Sequence, residues 1–247
     1  MEILIMGGNG HVGARLATRL RDLGHGVRVG SREHGVDALT GAGLEEAMDG
    51  VEVVVDVLNT AELDPAAATA FFAGTTERIM AAERTAGVRH HVLLSIVGVD
   101  RARANGYYVG KVAQEEAVRA AGVPFSIIRA TQFHDFVPTI ADWLTVDGAV
   151  QAPGMLLQPV DVMDVVGVLA EVALGHPLGA TVELAGPERY RLDELIRATL
   201  AARSDPREVV TIEGTALGAD AADSLVPLGA HRSGALPYPV AAPPVDA

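Results

Sequence analysis

The sequence predicts a doubly wound α/β fold: a parallel sheet with helices on both faces and a small C-terminal lobe. Three observations predict it. Residues 3–13 read Ile-Leu-Ile-Met-Gly-Gly-Asn-Gly-His-Val-Gly, an apolar run feeding straight into glycines at 7, 8, 10 and 13. Strand-like and helix-like runs then alternate along the chain. After residue 150 that rhythm changes and the runs shorten. The opening stretch reads as strand, turn and helix, with Leu16, Leu20 and Leu23 at helical spacing behind Ala14. In such an entry one glycine permits the tight turn. Another lets the backbone approach a pyrophosphate, a third lets helix and strand pack closely, and the N–H groups at the helix start face the phosphates. It reads as a Rossmann-type dinucleotide-binding turn, with Gly7, Asn9, Gly10, His11, Val12 and Gly13 as its candidate cofactor contacts. The alternative is a glycine turn that binds nothing.

The elements follow in order. Strands are expected at Ile3–Met6, Val27–Gly30, Val51–Val57, His91–Ile96 and Phe125–Arg129, and helices at 12–23, 44–49, 64–86, 108–121 and 136–145. Residues 31–50 are too few for a full crossover, so a trimmed helix and a short strand near Val36–Leu39 are expected there. Later come a helix at Asp161–Leu174, a strand at Thr181–Leu184, a helix at Leu192–Ala202 and a strand at Glu208–Ile212. Asp161 and Asp164 suit a helix start, where carboxylates favour the positive end of the dipole. The division expected is a dinucleotide-binding core over 1–150, a small substrate lobe over 151–224 at the carboxyl ends of the strands, and a proline-rich extended or disordered tail over 225–247.

Composition narrows the function. The net charge of −13 argues against nucleic acid or an anionic membrane as partner. With no cysteine, disulfides, thiolate catalysis and cysteine-ligated metal are excluded, and no other metal-ligand spacing is present. No apolar run is long enough to span a bilayer, and no basic region precedes the first apolar run, so no signal peptide is expected and a cytoplasmic location is the default.

The second strand ends Val29-Gly30-Ser31-Arg32. Proteins selective for NAD usually place an acid there, to bind the ribose 2′-hydroxyl. Here Ser31 and Arg32 suit a 2′-phosphate instead, with His34 assisting, which favours NADP(H) over NAD(H). Arg32 is otherwise a solvated loop residue, and Glu33 either serves NAD or pairs with Arg32. The next strand ends Asp56-Val57-Leu58-Asn59, so Leu58 and Asn59 are candidates to pass the adenosine side, or Asn59 is an ordinary turn residue.

Ser95 falls at the end of a buried strand, Tyr107 lies twelve residues on, and Lys111 follows four after that. On one helix, residues i and i+4 share a face, so phenol and ammonium lie together. A lysine cation and a nicotinamide cation would bring the phenol below its usual value of about 10, and Ser95 would bond the substrate carbonyl or the phenol. Ser95, Tyr107 and Lys111 are the candidate catalytic set, with Lys111 also holding the nicotinamide ribose. The other possibility is that Tyr107 or Tyr108 packs the sheet and Lys111 only holds the cofactor.

These residues carry a resemblance. Gly7, Gly10 and Gly13, the run Gly106-Tyr-Tyr-Val-Gly-Lys111 with Gln114-Glu-Glu116, the run from Pro124 to Phe136, and Gln158-Pro-Val-Asp-Val-Met-Asp-Val165 are together similar to atypical short-chain dehydrogenase/reductases. The group resembled is the NmrA-like NAD(P)-binding one, with its quinone-reductase and isoflavone-reductase relatives, over residues 1 to about 212. The resemblance implies the fold. It also implies either reduction of a carbonyl, enone or quinone of a hydrophobic or aromatic small molecule, or non-catalytic sensing of the NADP redox state, with the tyrosine favouring catalysis. The compressed 31–50 segment departs from the family pattern. The family places its nicotinamide and substrate contacts after the 125–129 strand. That makes Thr131, Gln132 and Phe133 candidate cofactor contacts, and His134 and Trp143 candidate substrate contacts; Tyr108, beside Tyr107, is a further substrate candidate. His134 is otherwise a solvated loop residue, and Phe136, Val137, Ile140, Trp143 and Leu144 otherwise form lobe core. A homo-oligomer is left open.

Overall fold

The computed structural model describes residues 1–240 and, as a short strand, Pro244–Val245. The chain opens β1 (Glu2–Met6), α1 (His11–Asp22), β2 (Gly26–Gly30), α2 (Leu44–Ala47), β3 (Val53–Asp56), α3 (Pro65–Ala86), β4 (His90–Ile96), α4 (Gly106–Ala120) and β5 (Phe125–Ala130). It continues α5 (Val137–Trp143), β6 (Thr145–Val146), β7 (Ala149–Pro153), β8 (Leu156–Leu157), α6 (Val162–Leu174), β9 (Thr181–Ala185), β10 (Arg189–Arg191), α7 (Leu192–Ala202), β11 (Val209–Ile212), β12 (Arg232–Ser233) and β13 (Pro244–Val245).

The large sheet runs β12-β9-β5-β4-β3-β1-β2, a seven-stranded parallel sheet with flanking helices. β1 lies between β2 and β3, with Ile3 opposite both Val27 and Val53, and Ile3 to Met6 are buried, as befits an inner strand of a parallel sheet flanked by helices. The chain order reverses across β1. Ligands of open α/β sheets bind at the carboxyl ends of strands at such a point. α3 carries the end signals its sequence advertises: Asp64 caps Ala67 N at 2.8 Å, Pro65 opens the helix, and Gly87 closes it in the left-handed region.

Two compact units divide the chain. The first holds Met1–Ser95, Gly106–Arg129 and Val165–Val182; the second holds Ile96–Asn105, Ala130–Asp164 and Glu183 onward. Within the first, the trimmed helix of the 31–50 segment is α2, but the short strand expected near Val36–Leu39 does not form. Gly35, Gly41 and Gly43 all take positive φ and turn the chain too often for a strand. Val36 and Ala38 instead join Leu4, Met6, Leu44 and Met48 in a buried apolar cluster, and β2 is left as the sheet edge.

Within the second unit, β11-β7-β6 and β13-β10-β8 form two three-stranded sheets. Residues 225–240, expected as part of an extended or disordered tail, are anchored at intervals: Leu225 and Val226 are fully buried, Tyr238 is buried, and Arg232 and Ser233 pair in parallel with Leu184 and Ala185, while Leu228 and Leu236 are exposed. The proline spacing hides these apolar anchors from a compositional reading. The rest of the expected tail, 241–243 and 246–247, lies outside the described residues. Among the described residues no helix is long and apolar enough to cross a membrane.

Candidate active site

The glycines at the end of β1 divide their work. Gly7 has φ +81° and its N–H donates to Gly30 O at 2.9 Å, while its carbonyl accepts Gly10 N at 2.9 Å. A Cβ on Gly7 would lie 3.0 Å from Val57 O. One on Gly8 would lie 2.8 Å from a Val29 methyl, and one on Gly13 would collide with Gly7 O and lie 2.7 Å from Gly8 Cα. Gly10 differs. Its backbone is extended (φ −78°, ψ 179°), and a Cβ there would meet Gly7 O at 3.2 Å and no other atom within 4 Å. Gly7 makes the turn, Gly8 and Gly13 pack it, and Gly10 keeps the start of α1 bare of any side chain. No side chain caps that end, where the first N–H groups of a helix have no intrahelical partner. Gly8 was not singled out from the sequence; its contact with the neighbouring strand has no local signature. Val12 is buried beneath the turn, while Asn9 and His11 are exposed.

At the tip of β2, Asn9 Nδ2 donates to Ser31 Oγ at 3.1 Å and to Glu33 Oε2 at 2.6 Å, and Ser31 Oγ lies 2.8 Å from His34 Nδ1. Glu33 therefore engages the glycine turn rather than Arg32. Arg32 is exposed, and its side chain has no hydrogen-bond partner among the described residues.

α4 lies hard against α3. A Cβ on Gly110 would come 2.7 Å from the Ala68 carbonyl, and one on Gly106 would collide with Leu63 O. This close approach seals Lys111, which is 3 % exposed and is the only lysine in the chain. Its Nζ donates to Leu94 O at 2.7 Å and to Gln114 Oε1 at 2.6 Å, and lies 4.8 Å from the centre of the Phe72 ring. Burial pushes Lys111 down to about 8, against the pull of Asp56 and Glu115. Tyr107 sets its ring edge-on to Phe72 at 5.2 Å, and its hydroxyl donates to Asn59 Oδ1 at 2.7 Å. Tyr108 is buried, its ring 6.1 Å from that of Tyr107.

Two expectations about the catalytic set are corrected here. Burial, and then Tyr108, push the Tyr107 phenol up rather than down, and the Lys111 ammonium is turned to Leu94 and Gln114. Ser95 gives its one hydroxyl proton to Glu115 Oε1 at 2.6 Å, not to a substrate carbonyl or to Tyr107. Glu115 also takes Arg129 at 2.8 Å and Arg119 at 2.7 Å. Burial pushes its carboxyl up, but the bonds from Arg129, Ser95 and Arg119 outweigh this and hold it below the usual range. The structure brings Tyr107, Asn59, Phe72 and Lys111 together and assigns Ser95 to a buried ion cluster. Asp56, Thr76 and Gln114, which complete the surroundings of Lys111, were missed as site residues. The lysine count was the available signal, since a lone lysine that is also buried is not there for solubility.

The remaining candidates, Leu58 apart, fall in the second unit. Leu58, in the first unit, donates its N–H to Asp56 Oδ1 at 2.9 Å. Thr131 Oγ1 donates to Gln158 O at 2.6 Å, and Phe133 bridges in parallel to Val160. Gln132 is buried, and both its side-chain polar atoms are without a partner among the described residues. His134 is not a solvated loop residue. It is buried, with Nε2 3.1 Å from Pro159 O, Nδ1 3.4 Å from Asp161 Oδ2, and its ring edge-on to Tyr238 at 5.1 Å. Trp143 is 56 % exposed and meets Phe136 edge-on, so it is not lobe core. Asp161 accepts Met163 N at 2.7 Å at the start of α6, as its position implied, while Asp164 accepts from Ala235 N at 3.0 Å and Leu236 N at 3.1 Å.

A left-handed glycine turn after β1, a bare helix start beside it and a sheet order that reverses at β1 define a Rossmann-type α/β protein. No family model matches the chain. It is 32 % identical over 204 aligned residues to the (4-alkanoyl-5-oxo-2,5-dihydrofuran-3-yl)methyl phosphate reductase of Streptomyces griseus subsp. griseus, covering 75 % of this chain and 68 % of that one. The chain belongs to the family of that reductase. Solved structures share the fold. MoeE5 in complex with UDP-glucose and NAD has a TM-score of 0.67 at 19 % identity, covering 95 % of this chain and 88 % of that one. The dTDP-4-dehydrorhamnose reductase of Bacillus anthracis in complex with NADP has 0.70 at 14 %, covering 85 % and 84 %.

Proposed function

We propose that the chain is an NAD(P)H-dependent reductase of a hydrophobic small molecule carrying a carbonyl, enone or quinone. The observation that carries this reading is the glycine turn: Gly10 leaves the start of α1 open, in a family that contains a reductase. The residues fit a dinucleotide. The α1 start would take the pyrophosphate, Ser31 and Arg32 the 2′-phosphate, Leu58 and Asn59 the adenosine side, and Lys111 the nicotinamide ribose. Thr131, Gln132 and Phe133 are proposed as further cofactor contacts, and Tyr108, His134 and Trp143 as substrate contacts. A reduced nicotinamide supplies a hydride when bound. Tyr107 Oη, its proton held firmly by burial, donates that proton to the oxygen or carbon that turns basic on reduction, and Asn59 Oδ1 orients it beforehand. Phe72 fixes the ring.

The name of the Streptomyces relative describes a carbon–carbon double bond conjugated to two carbonyls that share one of its carbons. That favours an activated enone over a simple ketone. Within the family, the spacing of Gly7, Gly10 and Gly13 and of Tyr107 and Lys111 supports an NmrA-like affiliation. A cytoplasmic enzyme acting on a free small molecule accords with the net charge of −13. The test is NADPH oxidation against a panel of acyl-butenolides, enones, quinones and aromatic ketones. Oxidation with one of these supports the reading. A second reading, binding of NADP(H) without turnover, is favoured by one observation: the Ser95 and Tyr107 hydroxyls both donate within the protein. It predicts cofactor binding with no oxidation across the panel.

The cofactor preference has its own test. An exposed guanidinium with no partner is available to a phosphate. Arg32→Ala is expected to lower NADPH affinity by about 1.5–3 kcal/mol, roughly tenfold to over a hundredfold, and to leave NADH affinity unchanged. Titration of both cofactors into both proteins reads this out. Equal wild-type affinities, or an undiminished preference in the variant, would refute the 2′-phosphate assignment.

A further inference from the structure

Lys111 belongs to a buried polar chain that crosses from α4 to β3. Its ammonium donates to Gln114 Oε1, which fixes the orientation of that carboxamide, because the reverse would set donor against donor. Gln114 Nε2 therefore faces away, donating to Asp56 Oδ2 and to Thr76 Oγ1, each at 3.1 Å. Asp56 is held in turn by Leu58 N on its other oxygen. Gln114, Asp56 and Thr76 have no exposed surface. A neutral bridge thus joins a buried cation to a buried anion, a link that a hydrocarbon side chain would break. Leu94 O and Gln114 Oε1 use two of the three N–H groups of Lys111, and the third has no hydrogen-bond acceptor among the described residues.

We propose that Gln114, braced by Asp56 and Thr76, is a positioning residue that aims the Lys111 ammonium and keeps it charged. This rests on the reading of Lys111 as a cofactor contact. The groups that face Lys111 are few. Asp56 faces it from β3 and Glu115 from its own helix, and both favour its charged form. Phe72 and Thr76 come from α3, and Tyr107 lies one turn back on α4. Beyond Asp56, Glu83 of α3 and His91 of β4 pair with each other at 2.7 Å. Glu115 is already shared among Arg129, Arg119 and Ser95, whereas Asp56 makes no ion pair with an arginine among the described residues and reaches Lys111 through Gln114.

A single lysine makes the test clean. Protein labelled with ¹³C-lysine gives one side-chain signal, and its titration reports Lys111 alone. The wild-type midpoint is expected near 8. In Gln114→Met, a substitution of similar shape, and in Asp56→Asn, the midpoint should fall by about one pH unit or more. NADPH affinity in both variants should then drop at pH 8 and recover toward wild type at pH 6, a dependence that simple structural damage would not show. An unmoved midpoint in the folded variants overturns the proposal. Should one variant fail to unfold cooperatively, the other carries the same test. A midpoint that falls while NADPH affinity does not follow it overturns the cofactor reading of Lys111 and leaves the Gln114–Lys111 coupling standing.

Discussion

Tyr107→Phe is expected to cut turnover by at least about a hundredfold and to leave NADPH affinity unchanged, because general acid–base help is typically worth 10²–10⁴ in rate. The substitution keeps the ring against Phe72 and Tyr108 and removes only the hydroxyl that donates to Asn59. That lost bond costs the fold only about 1 kcal/mol. Lys111→Met should damage affinity and turnover together, since the ammonium is read as holding the ribose as well as sitting one turn from the phenol. Steady-state NADPH oxidation beside calorimetric titration separates the two effects. Turnover undiminished by Tyr107→Phe would refute the proton-donor role and leave the reductase reading in place, with solvent as the proton source.

The glycine turn makes the other large prediction, and it distinguishes positions the bare motif treats alike. Gly10→Val should abolish dinucleotide binding with little change in melting temperature. Its backbone suits any residue, and an added Cβ meets only Gly7 O, so the side chain would stand over the start of α1. Gly13→Val should lose binding and stability together. Its side chain has no room against Gly7 and Gly8, and overpacking of this kind costs about 1–3 kcal/mol or more. Circular dichroism melts and calorimetry on both variants check this. Wild-type affinity in folded Gly10→Val would put the phosphate site elsewhere.

The parts of the fold legible in the sequence were those with long periodic patterns. β1 to β5, α1, α3, α4 and α7 each carry a clear apolar period or caps. Strands of two or three residues such as β6, β8, β10 and β12 have no period to read and exist only through their partners. The 31–50 segment was recognisably short, but whether Val36 and Ala38 sit in a strand or plug a face depended on where three left-handed glycines turn the chain. In the site, the four-residue spacing placed Tyr107 and Lys111 on one helix. It could not show which way each side chain turns. Ser95 illustrates the limit: a strand-end serine in the expected place is claimed by Glu115, whose partners come from residues 119 and 129. Gln114 and Asp56 are 58 positions apart and meet only because α4, packed against α3, comes within hydrogen-bond reach of the end of β3.

Calorimetric titration of NADPH and of NADH into the wild-type chain tests the central claim most directly, since every role proposed for Lys111, Tyr107 and Arg32 presumes a bound nicotinamide dinucleotide. The account predicts saturable binding of one NADPH per chain, tighter than NADH and absent in folded Gly10→Val. Failure of both cofactors to bind the folded wild-type protein would contradict it.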